Sequence, residues 1–535
     1  MRSVMKHNFS QVPSVSIPRS SFNRSHGYKT TFDAGYLVPV FVDEVLPGDT
    51  FNLSTSAFAR LATPKFPFMD NMFLDIHYFF VPLRLIHENA TKIFGEKLEE
   101  GDSTDYLVPT MTSPAIDGYE IGSLSDYFGI PTGIPDLEHS AYFHRAYNLI
   151  WNEYYRDENL QERVPDNKGD GPDDPEDYKL LRRGKRHDYF TSALPWPQKG
   201  PSISLPLAGD APVISTGETP LFRNANPSVP EANQNQPLTA TGKTGTPYNT
   251  PNLYAHYVGN TGSSLTGNLY FGDETGLAAD LSATVAATVN NLREAFQIQR
   301  IFEKDARGGT RYTEIIQAHF GVISPDARLQ RPEYLGGGST PINVNPVPQT
   351  SSTDSDSPQG NLAAYATAFM NGKGFTKSFT EHGVIIGLIS ARADLTYQNG
   401  LDRMFSRQTR FDFYWPSLAH LGEQEILNKE IYAQGTEEDD EVFGYQERYA
   451  EYRYKPSKIT GLYRSDAAQS LDSWHLSQDF ESLPALNSEF IEENPPVDRV
   501  IAVPSQPHFL LDMYFNLNCV RPMPVYSVPG LIDHF

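Results

Sequence analysis

The most constraining feature of this sequence is a regular alternation of apolar and polar side chains near its C-terminal end. In HFLLDMYFNLNCV, every second residue from Phe509 to Cys519 is apolar, and most of the residues between them are polar. This period of two predicts a β-strand with one face in a hydrophobic core. A strand so late in the chain must pair with strands distant in sequence. We therefore expect a β-sandwich that both ends of the chain close.

Strand patterns early in the chain supply the expected partners. Residues 36–49 form an apolar run that ends in a Pro-Gly-Asp turn, and residues 51–61 and 72–83 alternate in the same way as the late strand. Further strands are predicted at 382–397 and 406–416. Strands this short, joined by long connections, indicate a mainly β protein.

Other segments depart from the strand pattern. Residues 140–159 and 291–309 repeat apolar side chains every three or four positions, which predicts amphipathic helices. Residues 201–290 are rich in proline, glycine and small polar residues, and they predict either a disordered linker or, as we favour, an ordered protrusion. The aromatic residues of 252–273 favour the protrusion. Residues 339–360 are expected to be rich in turns.

Charge is distributed unevenly along the chain. The formal net charge is −23, yet the first 32 residues contain no acid. Their basic residues are Arg2, Lys6, Arg19, Arg24 and Lys29. This composition predicts an extended arm that either is simply solvated or lies on a polyanion, where neutralised phosphates release counterions.

A second basic cluster lies at residues 180–187. Its charged members are Arg182, Arg183, Lys185 and Arg186. Three partners are possible for them: the acidic loop 166–177, a neighbouring subunit, or DNA. The negative charge of the whole chain argues against a monomeric protein that binds nucleic acid over its entire surface.

Motifs for catalysis, cofactors and metals are missing from the sequence. The glycines at 336–338 fit neither a Walker loop nor a dinucleotide-binding turn. The acidic loop 166–177 resembles a calcium-binding loop, but Lys168 stands where an oxygen ligand is needed. We expect no enzyme activity, no cofactor and no metal. The apolar runs are too short to span a membrane, and without a signal-peptide pattern we expect the protein to stay in the cytoplasm.

Long runs of the sequence resemble the major capsid proteins of the Microviridae, specifically those of the gokushoviruses. The runs are rich in uncommon residues and keep their order along nearly the whole chain, except at 201–290, where only position and composition agree. They include FPFMDNMFLDIHYFFVPLRLI (66–86), LLRRGKRHDYFTSALPWPQKGP (180–201), EAFQIQRIFEKDARGGTRYTEIIQAHFGVISPDARLQRPEYLGGG (294–338), TRFDFYWPSLAHLGEQEILNKEIY (409–432), FGYQERYAEYRYKPSKITGLYRS (443–465) and PVYSVPGLIDHF (524–535).

The resemblance implies an eight-stranded antiparallel jelly roll with long loop insertions and a few helices. It implies a T=1-type icosahedral shell of sixty copies around a circular single-stranded DNA genome, assembled in the bacterial cytoplasm. Residues 1–32 would then be an interior arm, and 33–200 with 291–535 would form the jelly roll. Residues 201–290 would protrude at the threefold axes towards the host. Candidate host-facing side chains there are Tyr254, Tyr257 and Tyr270.

The same resemblance implies several partners. They are further copies of the chain, a small basic internal DNA-binding protein, an internal scaffolding protein, a pilot protein and a bacterial cell-surface receptor. No membrane insertion is expected.

The stretch from His319 to Gly338 is interpreted as a joint within or between subunits. Its charged side chains suit fork-shaped ion pairs, and the residues concerned are Asp326, Arg328, Arg331 and Glu333. Pro325 and Pro332 would stiffen this loop, and Gly336–Gly338 would let another backbone pass closely.

One alternative from a different class remains at this point. A secreted β-sandwich that binds or cleaves carbohydrate would have a similar fold, because jelly rolls serve both roles. The missing signal peptide and the length of the resemblance argue against it.

Overall fold

A computed structural model of the chain describes most of its residues. The described residues are 17–200, 203, 213–215, 221–224, 235–237, 269–271, 277–279, 289–309, 311–323, 325, 330–354 and 358–526. The chain divides into two compact units, one of residues 1–199 with 303–535 and one of residues 200–302. The second unit includes the segment predicted to protrude.

Strands dominate the described part of the chain. They are β1 (Ser20–Asn23), β2 (His26–Phe32), β3 (Val38–Val45), β4 (Thr50–Leu61), β5 (Met72–Pro82), β6 (Thr110–Thr112), β7 (Glu138–Ser140), β8 (Val213–Ser215), β9 (Leu221–Asn224), β10 (Asn235–Pro237), β11 (Leu269–Phe271), β12 (Leu277–Ala279), β13 (Glu333–Pro348), β14 (Leu362–Ser378), β15 (Gly383–Ala393), β16 (Thr396–Tyr397), β17 (Glu423–Leu427), β18 (Val442–Glu447), β19 (Ser457–Lys458) and β20 (Phe509–Arg521).

Most helices are short by comparison. They are α1 (Leu83–Ile86), α2 (Ala90–Ile93), α3 (Leu124–Tyr127), α4 (Tyr142–Ile150), α5 (Val289–Gly308), α6 (Tyr312–Phe320), α7 (Asn428–Ile431), α8 (Ser488–Ile491) and α9 (Val497–Val500). The two predicted helices correspond to α4, which continues as one π-helical turn at Trp151–Tyr155, and to α5. Within the described ranges, no helix is both long and apolar enough to cross a bilayer.

One large antiparallel sheet organises the first unit. Its order is β1-β20-β4-β14-β13-β5-β15-β3, and β2 also pairs with β20. The long strand β13 pairs with β5 through Glu333–Ile342 and with β14 through Asn343–Pro348. The sheet therefore curls into two halves that share one hydrophobic core. This mainly β architecture is consistent with the predicted jelly-roll fold.

The predicted closure by both chain ends is confirmed. Strand β20 pairs with β4 from Phe509↔Leu61 to Val520↔Thr50, and its other edge pairs with β1 and β2. Its burial alternates without a break up to Cys519, and Phe515, Leu517 and Cys519 are fully buried. The period-two pattern thus set the register, because a slip of one residue would turn every apolar side chain to water.

The other half of the sheet, which contains β5, β15 and β3 and which we call the second half-sheet, is covered on both faces at β15. Every residue of β15 is buried. Ile385 and Ile389 face the core between the half-sheets, whereas Ile386 and Leu388 pack in a second cluster with helix α4. The Tyr147 hydroxyl of α4 donates a hydrogen bond to the Leu37 carbonyl at 2.9 Å, which fixes the helix over the sheet.

The predicted turns at 339–360 are wrong over their first ten residues, because β13 continues to Pro348. Each half of β13 has one neighbouring strand, so the prolines occupy edge positions where no N–H is needed. The predicted loop at 333–338 is a strand as well. The close approach is confirmed: a Cβ on Gly337 would stand 2.1 Å from the Ile76 carbonyl oxygen.

The strand predicted at 406–416 is also wrong. This segment forms short 3₁₀ turns at Arg410–Asp412 and Pro416–Leu418. The Asp412 carboxylate accepts hydrogen bonds from the backbone N–H groups of Gln408 and Thr409 at 2.9 and 2.7 Å. Such local bonds give the backbone an alternative to a sheet ladder.

A buried ionic cluster ties the second half-sheet to a neighbouring loop. One Asp75 oxygen accepts hydrogen bonds from Arg183 at 2.7 Å and from Arg392 at 2.8 Å. The Asp75 side chain is only 6% exposed. Burial alone would raise the pKa of Asp75, but hydrogen bonding and the charges of the two arginines lower it below its ordinary value.

We predict that Leu517→Ala destabilises the protein by about 2–5 kcal/mol, because it opens a cavity in the core. Asn518→Ala, on the exposed face of the same strand, is the matched control and should change the free energy of unfolding by less than about 0.5 kcal/mol. Urea unfolding of the unassembled protein measures both. Equal effects of the two changes would contradict the observed register.

Asp75→Ala should cost about 3–5 kcal/mol, since it leaves two arginines without their buried partner. The control Asp440→Ala removes the partner of Lys429 at a carboxylate that is 74% exposed, and should cost less than about 1 kcal/mol. Because folding lowers the pKa of Asp75, its contribution is present at neutral pH. It should be lost as the pH falls from about 4 through the lowered pKa. If the free energy of unfolding of the wild type falls no more in this pH range than that of Asp75→Ala, the result would argue against a stabilising role of the cluster.

Candidate subunit interface

The basic cluster at 180–187 has its partners inside the chain. Arg182 lies over the Tyr36 ring at 4.0 Å, and Arg183 is held by Asp75 as described above. The Lys185 ammonium donates to the Phe490 carbonyl at 2.6 Å. Arg186 pairs with Asp394 at 3.2 Å and stays 58% exposed. These partners all lie outside the acidic loop 166–177, so the first of the three possibilities, pairing with that loop, is wrong, and contact with a neighbouring subunit or with DNA stays a prediction.

The acidic loop has its own partners. The Asp173 carboxylate pairs with the Arg145 guanidinium through bonds of 2.7 and 2.5 Å, and both side chains are buried. Burial alone would raise the pKa of Asp173, but the hydrogen bonds from Arg145 and Tyr178 outweigh it and lower the pKa below its ordinary value. The carboxyl group therefore stays charged. Asp170 accepts from the His87 ring at 2.8 Å. Across the described residues, no three His, Cys, Asp or Glu side chains cluster in a way that could hold a metal ion.

The second half of the predicted arm belongs to the sheet. Arg19 donates to the Gly48 carbonyl at 2.6 Å, Arg24 pairs with Asp43, and Lys29 pairs with Asp512 at 3.4 Å. Arg2 and Lys6 lie outside the described residues. That the arm faces the shell interior stays a prediction.

The predicted joint is described in part. The Arg331 guanidinium donates to the Thr313 hydroxyl at 3.2 Å and lies 5.0 Å from the centre of the Tyr154 ring. Glu333 pairs at 2.5 Å with Lys377 of β14. Both contacts are within one subunit. Asp326 and Arg328 lie outside the described residues, so a role between subunits stays a prediction for them.

The predicted host-facing tyrosines are described least. Tyr270 lies in β11, which pairs with β9 in a three-stranded sheet of the second unit. Tyr254 and Tyr257 lie outside the described residues. Their exposure to the host stays a prediction.

Sequence reasoning missed an exposed surface over residues 405–421, which contain and flank the segment predicted as a strand. Six large apolar side chains there are between 47% and 69% exposed, and we call them the aromatic surface. Its members are Phe405, Phe411, Phe413, Tyr414, Trp415 and Leu421. The missed signal is that FDFYW does not alternate and ends at Pro416, so its rings cannot share one face of a strand.

Contacts with less exposed side chains and with the backbone hold part of the aromatic surface in place. The Arg407 guanidinium lies 5.2 Å from the Phe413 ring and 4.4 Å from the Tyr452 ring. It also pairs with Glu451 at 3.2 Å, and both partners of that pair are only 10% exposed. The Trp415 indole N–H donates to the Arg410 carbonyl at 2.7 Å. The Phe413 and Trp415 rings are therefore presented to solvent in a fixed arrangement, as is typical of an interaction surface.

Comparison with known proteins agrees with this picture of an assembling protein. Residues 10–531 match the family described as capsid protein (F protein). The chain is 51% identical to capsid protein VP1 of Bdellovibrio phage phiMH2K, over 99% of this chain and 98% of the relative. It is 50% identical to capsid protein VP1 of Chlamydia phage 1, with the same coverage. The identity to capsid protein VP1 of Spiroplasma virus 4 is 37%, over 98% of this chain and 97% of the relative.

The predicted resemblance is thereby confirmed, since all three relatives come from gokushoviruses. Proteins of this family are structural and not enzymes, so the alternative of a carbohydrate-cleaving protein is wrong. A capsid protein forms the virion capsid by association with further copies of itself. The chain therefore belongs to the capsid protein (F protein) family of the Microviridae.

Proposed function

We propose that this chain builds a T=1-type icosahedral shell of sixty copies that encloses a circular single-stranded DNA genome. The observation that carries the proposal is the aromatic surface. Apolar rings fixed in water are unfavourable for a monomer, whereas a neighbouring copy of a capsid protein would bury them. Aromatic residues are also enriched at the centres of protein interfaces.

The interior of the shell would need additional cations. Sixty arms with five basic residues each would supply at most about +300 charges, since Arg24 and Lys29 already pair with carboxylates, and this is fewer than the phosphates of even a small genome. A small basic internal DNA-binding protein is therefore an expected partner. A scaffolding protein would assist assembly in the bacterial cytoplasm, and a pilot protein would accompany the genome.

The exterior of the shell would carry the contact with the host. Residues 200–302 form a compact unit of their own, which suits a protrusion that can vary without disturbing the shell. We assign the host-facing part to residues 201–290, at the threefold axes. A bacterial cell-surface receptor is its expected partner.

Phe405→Ser should reduce the yield of closed particles at least about tenfold, because it removes an apolar contact at the subunit interface. Electron microscopy of the protein co-expressed with the internal phage proteins measures the yield. Phe405→Leu retains apolar area and should retain particles. The thermal unfolding of unassembled Phe405→Ser should match that of the wild type, because the ring is 69% exposed. A normal yield from Phe405→Ser would remove the aromatic surface from the interface.

The double change Tyr254→Ser with Tyr257→Ser should leave particle yield unchanged and slow adsorption to host cells at least about tenfold. The reason is that aromatic side chains supply much of the contact energy at binding surfaces. Adsorption is measured as loss of free particles from a suspension of host cells. Unchanged adsorption would exclude these two tyrosines from receptor binding.

A further inference from the structure

One face of the folded sheet is open to solvent although its counterpart is covered. The half-sheet β2-β20-β4-β14 buries one set of alternate residues in the core and exposes the other set. We call the exposed set the open face. It carries large side chains that are about half exposed or more, namely Phe58 at 47%, Phe369 at 64%, Tyr514 at 53% and Leu510 at 54%. The second half-sheet covers its equivalent face with helix α4.

The rings of the open face lie side by side. Phe58 on β4 stands opposite Phe369 on β14, and Asp512 on β20 stands opposite Phe58 from the other side. Tyr514 is one step further along β20, opposite Ser56. Direct cross-strand neighbours have Cβ atoms about 5 Å apart, and diagonal neighbours are about 7–8 Å apart. Three rings therefore share one small area of a sheet.

The remaining side chains of the open face are mostly amides and hydroxyls. Along the strands beyond the rings they are Asn52, Ser54, Ser56, Thr376, Asn516 and Asn518. Amides and hydroxyls both donate and accept hydrogen bonds without a charge. Rings for stacking beside such groups are what unpaired bases require, since their faces stack and their edges hydrogen-bond.

The charge of the open face also suits a polyanion. The net charge of the chain is −23, but the open face holds few acids. Among the described residues that the pairings of β2, β20, β4 and β14 place on this face, the acid is Asp512, and Lys29 lies 3.4 Å from its carboxylate. Arg60 is exposed on the same face, opposite Leu510. The acid-free N-terminal segment borders this face through β1 and β2. A cationic peptide would find little to pair with, whereas phosphates would meet little repulsion.

We propose that the open face lines the shell interior and binds single-stranded DNA by stacking unpaired bases on Phe58, Phe369 and Tyr514. Lys29 and Arg60 contact the adjoining phosphates. The inference rests on the proposed function, because it requires a shell that contains single-stranded DNA. It adds a base-contacting surface to the phosphate contacts expected of the basic arm.

The first test irradiates DNA-containing particles with ultraviolet light and identifies the cross-linked peptides by mass spectrometry. Cross-links should fall in residues 50–61, 362–378 and 509–521. Particles that form and contain DNA, yet show cross-links only in other segments, would overturn this inference and leave the proposed shell intact. Absence of particles would instead refute the proposed function.

The second test compares variants of the full-length unassembled protein for binding to an oligothymidine strand. Phe58→Thr with Phe369→Thr should weaken binding about tenfold or more, and the salt dependence should not change because no phosphate contact is lost. Phe58→Tyr keeps a stacking ring and should bind as the wild type does. Arg60→Gln should reduce the salt dependence instead. Equal affinity of the double variant and the wild type would overturn the proposal, as would binding of a neutral glycan or a cationic peptide in place of the oligonucleotide.

Discussion

The antiparallel pairing of β20 with β4 is the interaction on which the rest of the structure depends. It joins residues more than four hundred positions apart and places the buried rows of both strands, such as Met513 beside Ala57, in one core. Without it, β1 and β2 would lose the edge on which they pair, and β4 would present an unpaired edge to solvent. The long insertions between β5 and β13 are possible because the ends of the chain, and not its middle, close the sandwich.

Sequence patterns predicted the strands whose two faces differ. β4 and β20 were predicted to within a residue or two at each end because burial of one face imposes a period of two. The same reasoning failed at 406–416, where aromatic density without alternation was mistaken for a strand. It failed again at 339–348, where the prolines of β13 are tolerated because each half of that strand has a single neighbour.

The candidate sites were harder to predict than the fold. The basic cluster at 180–187 looked like a surface feature, yet Arg183 joins Asp75 across 108 positions of sequence. Composition shows which charges exist, but pairing depends on distances that only the fold determines. The aromatic surface was missed for the opposite reason. Apolar residues are expected in a core, and their exposure becomes visible only when the core is seen to be complete without them.

Strand β13 continues from one half of the sheet into the other, because it pairs with β5 through Glu333–Ile342 and with β14 through Asn343–Pro348. The two halves consequently cannot slide against each other unless rows of backbone hydrogen bonds break together. A load on either half reaches its counterpart as shear along these ladders and is shared among many bonds at once. Each subunit should therefore respond to deformation as a stiff panel, so that bending of an assembled container would concentrate at the seams between panels.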